Sequence, residues 1–530
     1  MKEPGRLSGM RRLGLLALVL VVCSACGAGP SNRPHVAVER EGGGSEPTPT
    51  ESQNADAPPP QLQVPKTDLT WTDCTQGTLE TLGPGVVAPS GLIFECASYE
   101  SAVDESGVLP GSFTMGAMRA RLADTPANAA PLVLTSGSDR SSTSTLAALS
   151  TGGLATLLST RPVVAVDRRG IASSQKIECL SPPTSDLRRR LADLGQFDPG
   201  AGDQVDKVAA LGRDATIACT DYLQPQELAF DSTHAADDIE TLRRTWEVDS
   251  LGILATGNGS AVALSYAAEY PGRVGRLVLD SPAVTTVDAA TVTEQQVAGQ
   301  EAAFDAFARQ CTALNCSLGP DPRAAVTAAV AAAAAGRIPG VSSNALLTAI
   351  SGVLGTAGGD QQGRVRMLSD AVSAATAGNT APLLALAAQA EAAYESDGQF
   401  ITRCTDGQQW PAPDRVRQLQ RVWGEQFPLF GPDAAVGLLL CTSWPATAPP
   451  ALPGDLSMPV LVLSGAADPV VGNAGVGTVT GAVGSAGATT ATLTWHGRGH
   501  PATHSDCAQK AIVSYLADGT LPPDGSACPA

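Results

Sequence analysis

The sequence predicts an α/β fold, in which helices cover a mostly parallel central sheet and a helical cap is inserted into the core. Short apolar runs typical of buried strands alternate with helical patterns, which is the arrangement of parallel sheets. One such strand runs into a small-residue turn and then a helix, within residues 250–270. The stretch 283–450 is alanine-rich and helical, without comparable strands. We therefore expect a core formed by residues 67–282 and 451–530, with residues 283–450 as the cap.

Five apolar segments support the strand prediction. Each is a short run rich in valine, leucine or isoleucine that is followed by turn-forming residues or a charged residue. The predicted strands are 131–134, 163–166, 250–254, 276–279 and 459–463. Residues 141–160 are expected to form a helix or loop crossover, and the predicted helices are 233–246 with Thr233 as a candidate cap, 260–270, and 508–516.

Composition and charge limit the possible partners. The chain has 530 residues and 43% hydrophobic content, enough for a large core with an insertion or for two to three domains. Its 34 Lys and Arg against 52 Asp and Glu give a net charge of −18. This excess argues against nucleic acid and against electrostatic docking on anionic lipid. It favours solubility, or attraction of cationic groups such as a peptide amino terminus.

The first 26 residues predict an export signal. Four basic residues precede an apolar run at 13–22, which is too short to span a bilayer as a helix. The small residues before Cys26 resemble a bacterial lipobox, so we expect an acylated Cys26 at the extracellular face of the membrane or in the cell wall. Cys23 departs from that motif, which leaves simple secretion as the alternative. Residues 27–66 lack apolar periodicity and predict a disordered tether.

Ten further cysteines predict a disulfide framework, because an even number in an exported chain is typical of one. A metal site is disfavoured, since none of these ten cysteines forms a Cys-x-x-Cys pair. Sequence alone leaves the connectivity open. The simplest pairing is sequential: Cys74–Cys96, Cys179–Cys219, Cys311–Cys316, Cys404–Cys441 and Cys507–Cys528.

The turn at residues 255–259 (Ala-Thr-Gly-Asn-Gly) has the setting of a nucleophile elbow. In that motif, Gly-x-Ser-x-Gly, a serine lies at a strained turn and small residues flank it because the backbones come close. Both flanking positions are small here, as an α/β-hydrolase requires. The middle position is Gly257.

Motifs on both sides of this turn extend the likeness. They are Tyr266-Ala267, Tyr270-Pro271, Arg273-Val274, residues 277–280 (Leu-Val-Leu-Asp), residues 163–174, and the surroundings of Cys404, Cys441 and Cys507. On these residues, from about 71 to 528, the chain resembles the secreted actinobacterial tripeptidyl-aminopeptidase-like α/β-hydrolases, serine peptidases related to proline iminopeptidase. The ungapped fit after the turn places the family's nucleophilic serine at Gly257.

The resemblance also implies positions for the acid and the base. Residues 463–470 resemble the loop that carries the acid, at Asp468, and residues 497–500 resemble the loop that carries the base, at His500. Their order after the elbow is that of α/β-hydrolases. In a working triad the acid orients the imidazole, which takes the serine proton. Without that serine, the two side chains would serve only to hold loops together.

The predicted oxyanion region is altered as well. The backbone N–H of Asn258 would supply one donor. The second would come from Gly137 or Ser138, in a loop where the family has Gly-Gly-Pro-Gly. Asp139 in that loop would place negative charge near a developing oxyanion, which is the wrong sign for stabilising it. Asp139 would otherwise face solvent or pair with Arg140.

Two hypotheses for function follow. The first is a pseudoenzyme that recognises peptides, acyl chains or a partner protein. The second is an active exopeptidase that uses a displaced nucleophile, Ser260, with His500 and Asp468. Ser260 lies three residues beyond the apex in the first helical turn, so hydrogen-bond reach to the base is the obstacle.

Other polar residues have simpler interpretations. Residues 167–170 and Asp280 are candidates to line a pocket, with a structural role favoured. Residues 237–240 predict a solvated acidic helix face, and His234 a surface or capping residue. His496 and His504 flank His500 at intervals of four, but the intervening glycines and proline disfavour the helix that a zinc site would need. We expect no metal and no cofactor.

Overall fold

The computed structural model describes residues 61–83, 86–138, 140–180, 186–198, 202–284, 286–392 and 396–530. All of these belong to one compact unit. The predicted signal, Cys26 and nearly all of the predicted tether lie outside the described residues. Among the described helices, none is long and apolar enough to cross a membrane.

One sheet runs through the described residues. Its strands are β1 (Thr72–Asp73), β2 (Leu92–Ala102), β3 (Ser112–Leu122), β4 (Leu132–Thr135), β5 (Val163–Val166), β6 (Leu251–Thr256), β7 (Val274–Asp280), β8 (Val460–Ala467), β9 (Thr490–Arg498) and β10 (Ser526–Cys528). Their spatial order is β1-β2-β3-β5-β4-β6-β7-β8-β9-β10. The pairs β1–β2, β2–β3 and β3–β5 are antiparallel, and all other neighbouring pairs are parallel. This confirms the predicted α/β-hydrolase fold.

Helices cover both faces of the sheet and form the cap. Those before β8 in the core are α1 (Thr75–Thr81), α2 (Ser142–Gly152), α3 (Ala155–Leu158), α4 (Asp186–Ala192), α5 (Gln204–Leu223), α6 (Ser232–Trp246) and α7 (Gly259–Glu269). Between β7 and β8 lie α8 (Ala289–Ala313), α9 (Pro322–Ala334), α10 (Ser343–Gly355), α11 (Gln361–Thr376), α12 (Ala381–Ala392), α13 (Gly398–Thr405), α14 (Pro413–Gln426), α15 (Gly431–Gly437) and a 3-10 turn, Leu438–Cys441. After β8 come α16 (Val476–Ser485), a 3-10 turn, Ala502–His504, and α17 (Asp506–Asp518).

The central strands are short and apolar because both faces of the sheet are covered. Every residue of β4, β5 and β6 is buried. Along β4 the side chains alternate, so that Val133 joins the hydrophobic cluster on one face and Leu132 and Leu134 join the cluster on the other. The cap has a separate core, built around residues such as Phe304 and Leu346.

The sequence analysis did not predict β2, β3 or β9. β9 alternates buried and half-exposed positions, with Leu493 and Trp495 facing the core, because helices cover that edge of the sheet less completely. Such a two-residue period is a weaker signal than a continuous apolar run.

Two boundaries also differ from prediction. Residues 61–66 are not tether: Leu62 packs against the core, Gln63 hydrogen-bonds to Asp249, and the Lys66 N–H donates to the Trp246 carbonyl. Asp231, rather than Thr233, caps α6 by accepting the His234 N–H. The described cysteines form the five sequential pairs.

Candidate active site

Gly257 occupies the apex of the turn between β6 and α7, with φ of 55°. This left-handed conformation strains any side-chain-bearing residue, and it is where a nucleophile elbow holds its serine. The Gly257 N–H donates to the Asp280 carbonyl at 3.0 Å, and its carbonyl accepts the N–H groups of Ser260 and Ala283, both at 3.2 Å. The chain has therefore kept the backbone of the elbow while glycine adopts it without strain.

The turn packs backbone against backbone. A Cβ at Gly259 would lie 2.1 Å from the Thr135 carbonyl oxygen, and one at Gly137 would lie 2.3 Å from the Asn258 carbonyl carbon. No real side chain tolerates such distances, so glycine is required at both positions. This contact brings the loop after β4 against the elbow, where an oxyanion hole would be assembled.

His500 and Asp468 form a hydrogen-bonded pair. The Nδ1 atom of His500 lies 2.8 Å from Oδ2 of Asp468, and the two residues are 5% and 1% exposed. Burial acts to raise the pKa of Asp468, but the nearby His500 and the hydrogen bonds to the carboxylate outweigh it and hold the pKa below its ordinary value. The N–H groups of Val470 and Val471 donate to the other carboxylate oxygen.

Asp280 holds the loop that carries the base. Its fully buried carboxylate accepts the N–H of Ala502 at 3.0 Å and both the N–H and the hydroxyl of Thr503, at 2.6 and 2.5 Å. Burial raises the pKa of Asp280, against the opposing effects of His500 and these hydrogen bonds. The structure thus gives Asp280 a positioning role within the loop after His500, which the sequence did not specify.

Ser260 points into the turn. Its hydroxyl lies 2.8 Å from the Gly257 carbonyl oxygen and 3.1 Å from that of Ala283, and the residue has no exposed surface. These contacts bind the hydroxyl to the first turn of α7 and the chain after β7. They argue against Ser260 as a displaced nucleophile.

The oxyanion region retains one clear donor. No described residue accepts the backbone N–H of Asn258. The Asn258 side chain donates weakly to the Ser138 hydroxyl at 3.4 Å, and Ser138 is buried. Asp139 lies outside the described residues, so the prediction about its charge stays a prediction. The Arg140 guanidinium lies against Gly355, where a Cβ would be 2.8 Å from Nη2.

The cap lies directly on this site. The His500 N–H donates to the carbonyl of Gly355, the last residue of α10, at 3.1 Å. A Cβ at Gly299, within α8, would lie 2.4 Å from the Asp468 carbonyl oxygen. These two contacts fix the acid and base loops against the cap. Gly299 is the one glycine in the sequence of α8, and a glycine inside a helical pattern is the feature that could have indicated the second contact.

The charged loop at 167–170 is buried and structural. Arg169 pairs with Asp238 at 2.8 Å and Arg168 pairs with Asp406 at 3.1 Å. The expectation of a solvated face at 237–240 is therefore wrong: Asp238 is 1% exposed and Glu240 is 3% exposed. The partner of Asp238 comes from a distant segment, which no local pattern reveals, whereas Glu240 pairs with Arg243 and Arg244 of its own helix.

The three C-terminal histidines do not share a helix. His496 is exposed on β9, His500 lies in the following loop, and His504 ends a 3-10 turn. No group of three potential metal ligands occurs among the described residues. His234 hydrogen-bonds to Asp231 at the start of α6.

Similarity to known proteins accords with this geometry. A family model described as TAP-like protein matches residues 427–528, which contain β8, β9, Asp468 and His500. The C-terminal part of the chain is therefore similar to TAP-like proteins, within the α/β-hydrolase fold described above. It is similar to serine protease Hip1 of Mycobacterium tuberculosis, with 26% identity over 398 residues that cover 69% of this chain and 74% of the relative.

Solved structures similar to this chain include proline iminopeptidase from Mycobacterium smegmatis. It is 13% identical, with a TM-score of 0.36, and the match covers 79% of this chain and 97% of that one. An esterase from Rhodococcus is 15% identical, with a TM-score of 0.32, and the match covers 79% and 98%.

Proposed function

We propose that this TAP-like chain is a catalytically impaired α/β-hydrolase that binds a peptide-like or acyl ligand at the site of the lost reaction. One observation carries the proposal: the elbow backbone and the Asp468–His500 pair are intact, while Gly257 places no hydroxyl at the apex. A base without a nucleophile cannot begin acyl transfer. The rate left after loss of a triad residue is about 10³–10⁴ over water, and it depends on the oxyanion hole.

The position of Ser260 supports this proposal over the active-enzyme alternative. A nucleophile must lie within hydrogen-bond reach of its base. The contacts of the Ser260 hydroxyl with two carbonyl oxygens direct it into the turn. The acidic net charge of −18 suits a ligand with a free amino terminus, such as a short peptide.

The test compares hydrolysis of tripeptidyl p-nitroanilides and p-nitrophenyl acyl esters by four proteins. They are the native chain, Gly257→Ser, Gly257→Ala as a matched side-chain control, and Gly257→Ser/His500→Ala. We expect no turnover by the native chain or by Gly257→Ala, and turnover by Gly257→Ser that is lost in the double variant. Native turnover abolished by His500→Ala or Ser260→Ala would refute the proposal.

Ligand binding needs a separate measurement, because impaired catalysis does not by itself imply recognition. We expect tripeptides or medium-chain acyl compounds to raise the melting temperature of the native chain. A ligand that gives the same shift in a variant with a bulky residue at the apex, Gly257→Leu, would be binding elsewhere.

We also propose export and anchoring through an acylated Cys26, on the basis of the signal-like residues 1–26 and the five disulfides. Mass spectrometry of the membrane-extracted chain should find a diacylglyceryl group on Cys26. Replacement by alanine should release the chain from the membrane fraction. Unmodified Cys26, or cleavage elsewhere, would favour simple secretion.

A further inference from the structure

Three arginines gather between the cap and the loop that carries His500. Arg498 ends β9, two residues before His500, and Arg364 lies in the first turn of α11. Arg309 lies on α8 and is exposed, whereas the other two are half-buried. Such a gathering is unexpected in a chain with a net charge of −18.

Arg364 and Arg498 line a small cavity of about 20 Å³. Gln361 is the third polar residue in its wall. The remaining lining is apolar and comes from α8, α10 and α11: Ala303, Phe307, Val353, Leu354 and Val365. A cavity of this size holds roughly one water-sized group.

Neither guanidinium has a carboxylate of the described residues within 4.0 Å. Arg364 donates to the Gly358 carbonyl and Arg498 donates to the Gln310 side-chain oxygen. Those are their only hydrogen bonds to described residues, and each guanidinium has five N–H donors. By contrast, the buried Arg168 and Arg169 pair with Asp406 and Asp238, and the partly buried Arg323 pairs with Glu301.

The charges around the cavity repel one another. Burial lowers the pKa of Arg364, as does Arg498, although the N-terminal capping residue Asp360 opposes this. Burial and Arg309 lower the pKa of Arg498. Burial also lowers the pKa of His504, and Arg364 adds to that effect. Half-buried like charges cost free energy unless an opposite charge compensates them.

We propose that this cavity binds a compact anionic group, such as a carboxylate or a chloride ion, between Arg364 and Arg498. The planar guanidinium fork suits carboxylates, and the remaining donors can satisfy either kind of anion. The apolar wall and the small volume exclude bulky anions. This site is separate from the elbow and does not rest on the proposed function.

Occupancy would also connect the cap to the base loop. Arg364 already hydrogen-bonds to Gly358, close to Gly355, which accepts the His500 N–H. An anion bridging Arg364 and Arg498 would join α11 to β9 across the same contact. The bound anion thus stabilises the packing of the cap against the loop that carries His500.

Thermal unfolding tests the site with sodium acetate and sodium chloride as the probes. The buffer is chloride-free, and sodium 2-(N-morpholino)ethanesulfonate, whose anion is too bulky for the cavity, keeps the ionic strength constant. We expect a saturable rise in melting temperature of about 1–3 °C for the native chain. Arg364→Gln and Arg498→Gln should lose the rise, whereas Arg366→Gln, an exposed position on the same helix, should keep it.

The melting temperature of each variant in buffer without chloride or acetate shows whether that variant folds. Because Arg364→Gln removes a repulsive charge, it should melt at least as high as the native chain there. A rise with chloride identifies a free inorganic ion as a sufficient ligand, and a rise with acetate alone identifies the carboxylate of an organic ligand. No rise in the native chain, or an equal rise in the Arg364→Gln and Arg498→Gln variants, would overturn the proposal.

Discussion

Oδ2 of Asp468 lies 2.8 Å from Nδ1 of His500, beneath a cap helix that approaches too closely to allow a side chain at Gly299. This is the hydrogen bond by which the acid of a triad holds its base, although the apex of the elbow offers no hydroxyl. Because both residues are nearly fully buried, removal of either side chain would leave the other without its hydrogen-bond partner in the interior.

Replacement of Asp468 by asparagine should destabilise the native chain at pH 7 by about 3 kcal/mol, because it removes the buried carboxylate that is hydrogen-bonded to His500 and to two backbone N–H groups. The folded pKa of Asp468 is below its ordinary value of 3.8, so the carboxylate stabilises the fold above that pH. This stabilisation is lost as the pH falls through the folded pKa. Urea unfolding from pH 7 to pH 3 should therefore show the difference between native chain and variant narrowing below about pH 4.

The exposed Asp370 provides the control. Asp370→Asn should leave stability within about 0.5 kcal/mol of the native chain across the same range. A difference for Asp468→Asn that stays constant with pH would show that packing, rather than the charge, is responsible.

Asp280→Ala should cost about 2–4 kcal/mol, because it leaves the buried N–H groups of Ala502 and Thr503 without an acceptor. Asp280→Asn retains one acceptor oxygen and should cost less. Denaturant unfolding gives the two values, and hydrogen exchange at Ala502 and Thr503 locates the effect. Unchanged exchange at both amides in Asp280→Ala would contradict a positioning role for this carboxylate.

Gly299→Ala should destabilise the chain by about 1–3 kcal/mol, because the added methyl group would meet the backbone of Asp468 and of Gly472. Gly481→Ala is the matched substitution, in α16, where nothing lies within 4 Å of the added atom. It should stabilise the chain by about 0.4–1 kcal/mol. If the two substitutions changed the free energy of unfolding in urea equally, the contact between α8 and the loop that carries Asp468 would accommodate the added methyl group without cost.

Arg169→Met should cost about 3–5 kcal/mol, because Asp238 would be left buried without its charged partner. The two side chains are 2% and 1% exposed. The exposed pair Lys176–Glu178 is the comparison, and Glu178→Gln should leave the midpoint of unfolding nearly unchanged. A double variant, Arg169→Met with Asp238→Leu, should recover much of the loss. Failure of that recovery would assign the cost to the hydrogen bonds of Arg169 with Ala102 and Val103.

Local sequence patterns were sufficient to predict the central strands and the turn of the elbow. The apolar runs that became β4 to β8 and the small residues at 255–259 depend on neighbours within a few positions, and such signals survive in sequence. Strands β2, β3 and β9, which lie next to or near the edges of the sheet, escaped prediction because their partly buried residues produce a mixed pattern. Which of their residues are buried depends on which face of each strand is covered by the rest of the chain.

The sequence by itself determined the α/β order, the sequential positions of the cysteines, the absence of serine at Gly257, and the candidate acid and base. Tertiary structure alone decided that Asp238 is buried, since its partner Arg169 lies 69 positions away. It also decided that Asp280 holds the loop after His500, and that Arg364 approaches Arg498. Local sequence determines backbone preference and side-chain chemistry, whereas burial and charge pairing depend on segments that meet only when the chain folds.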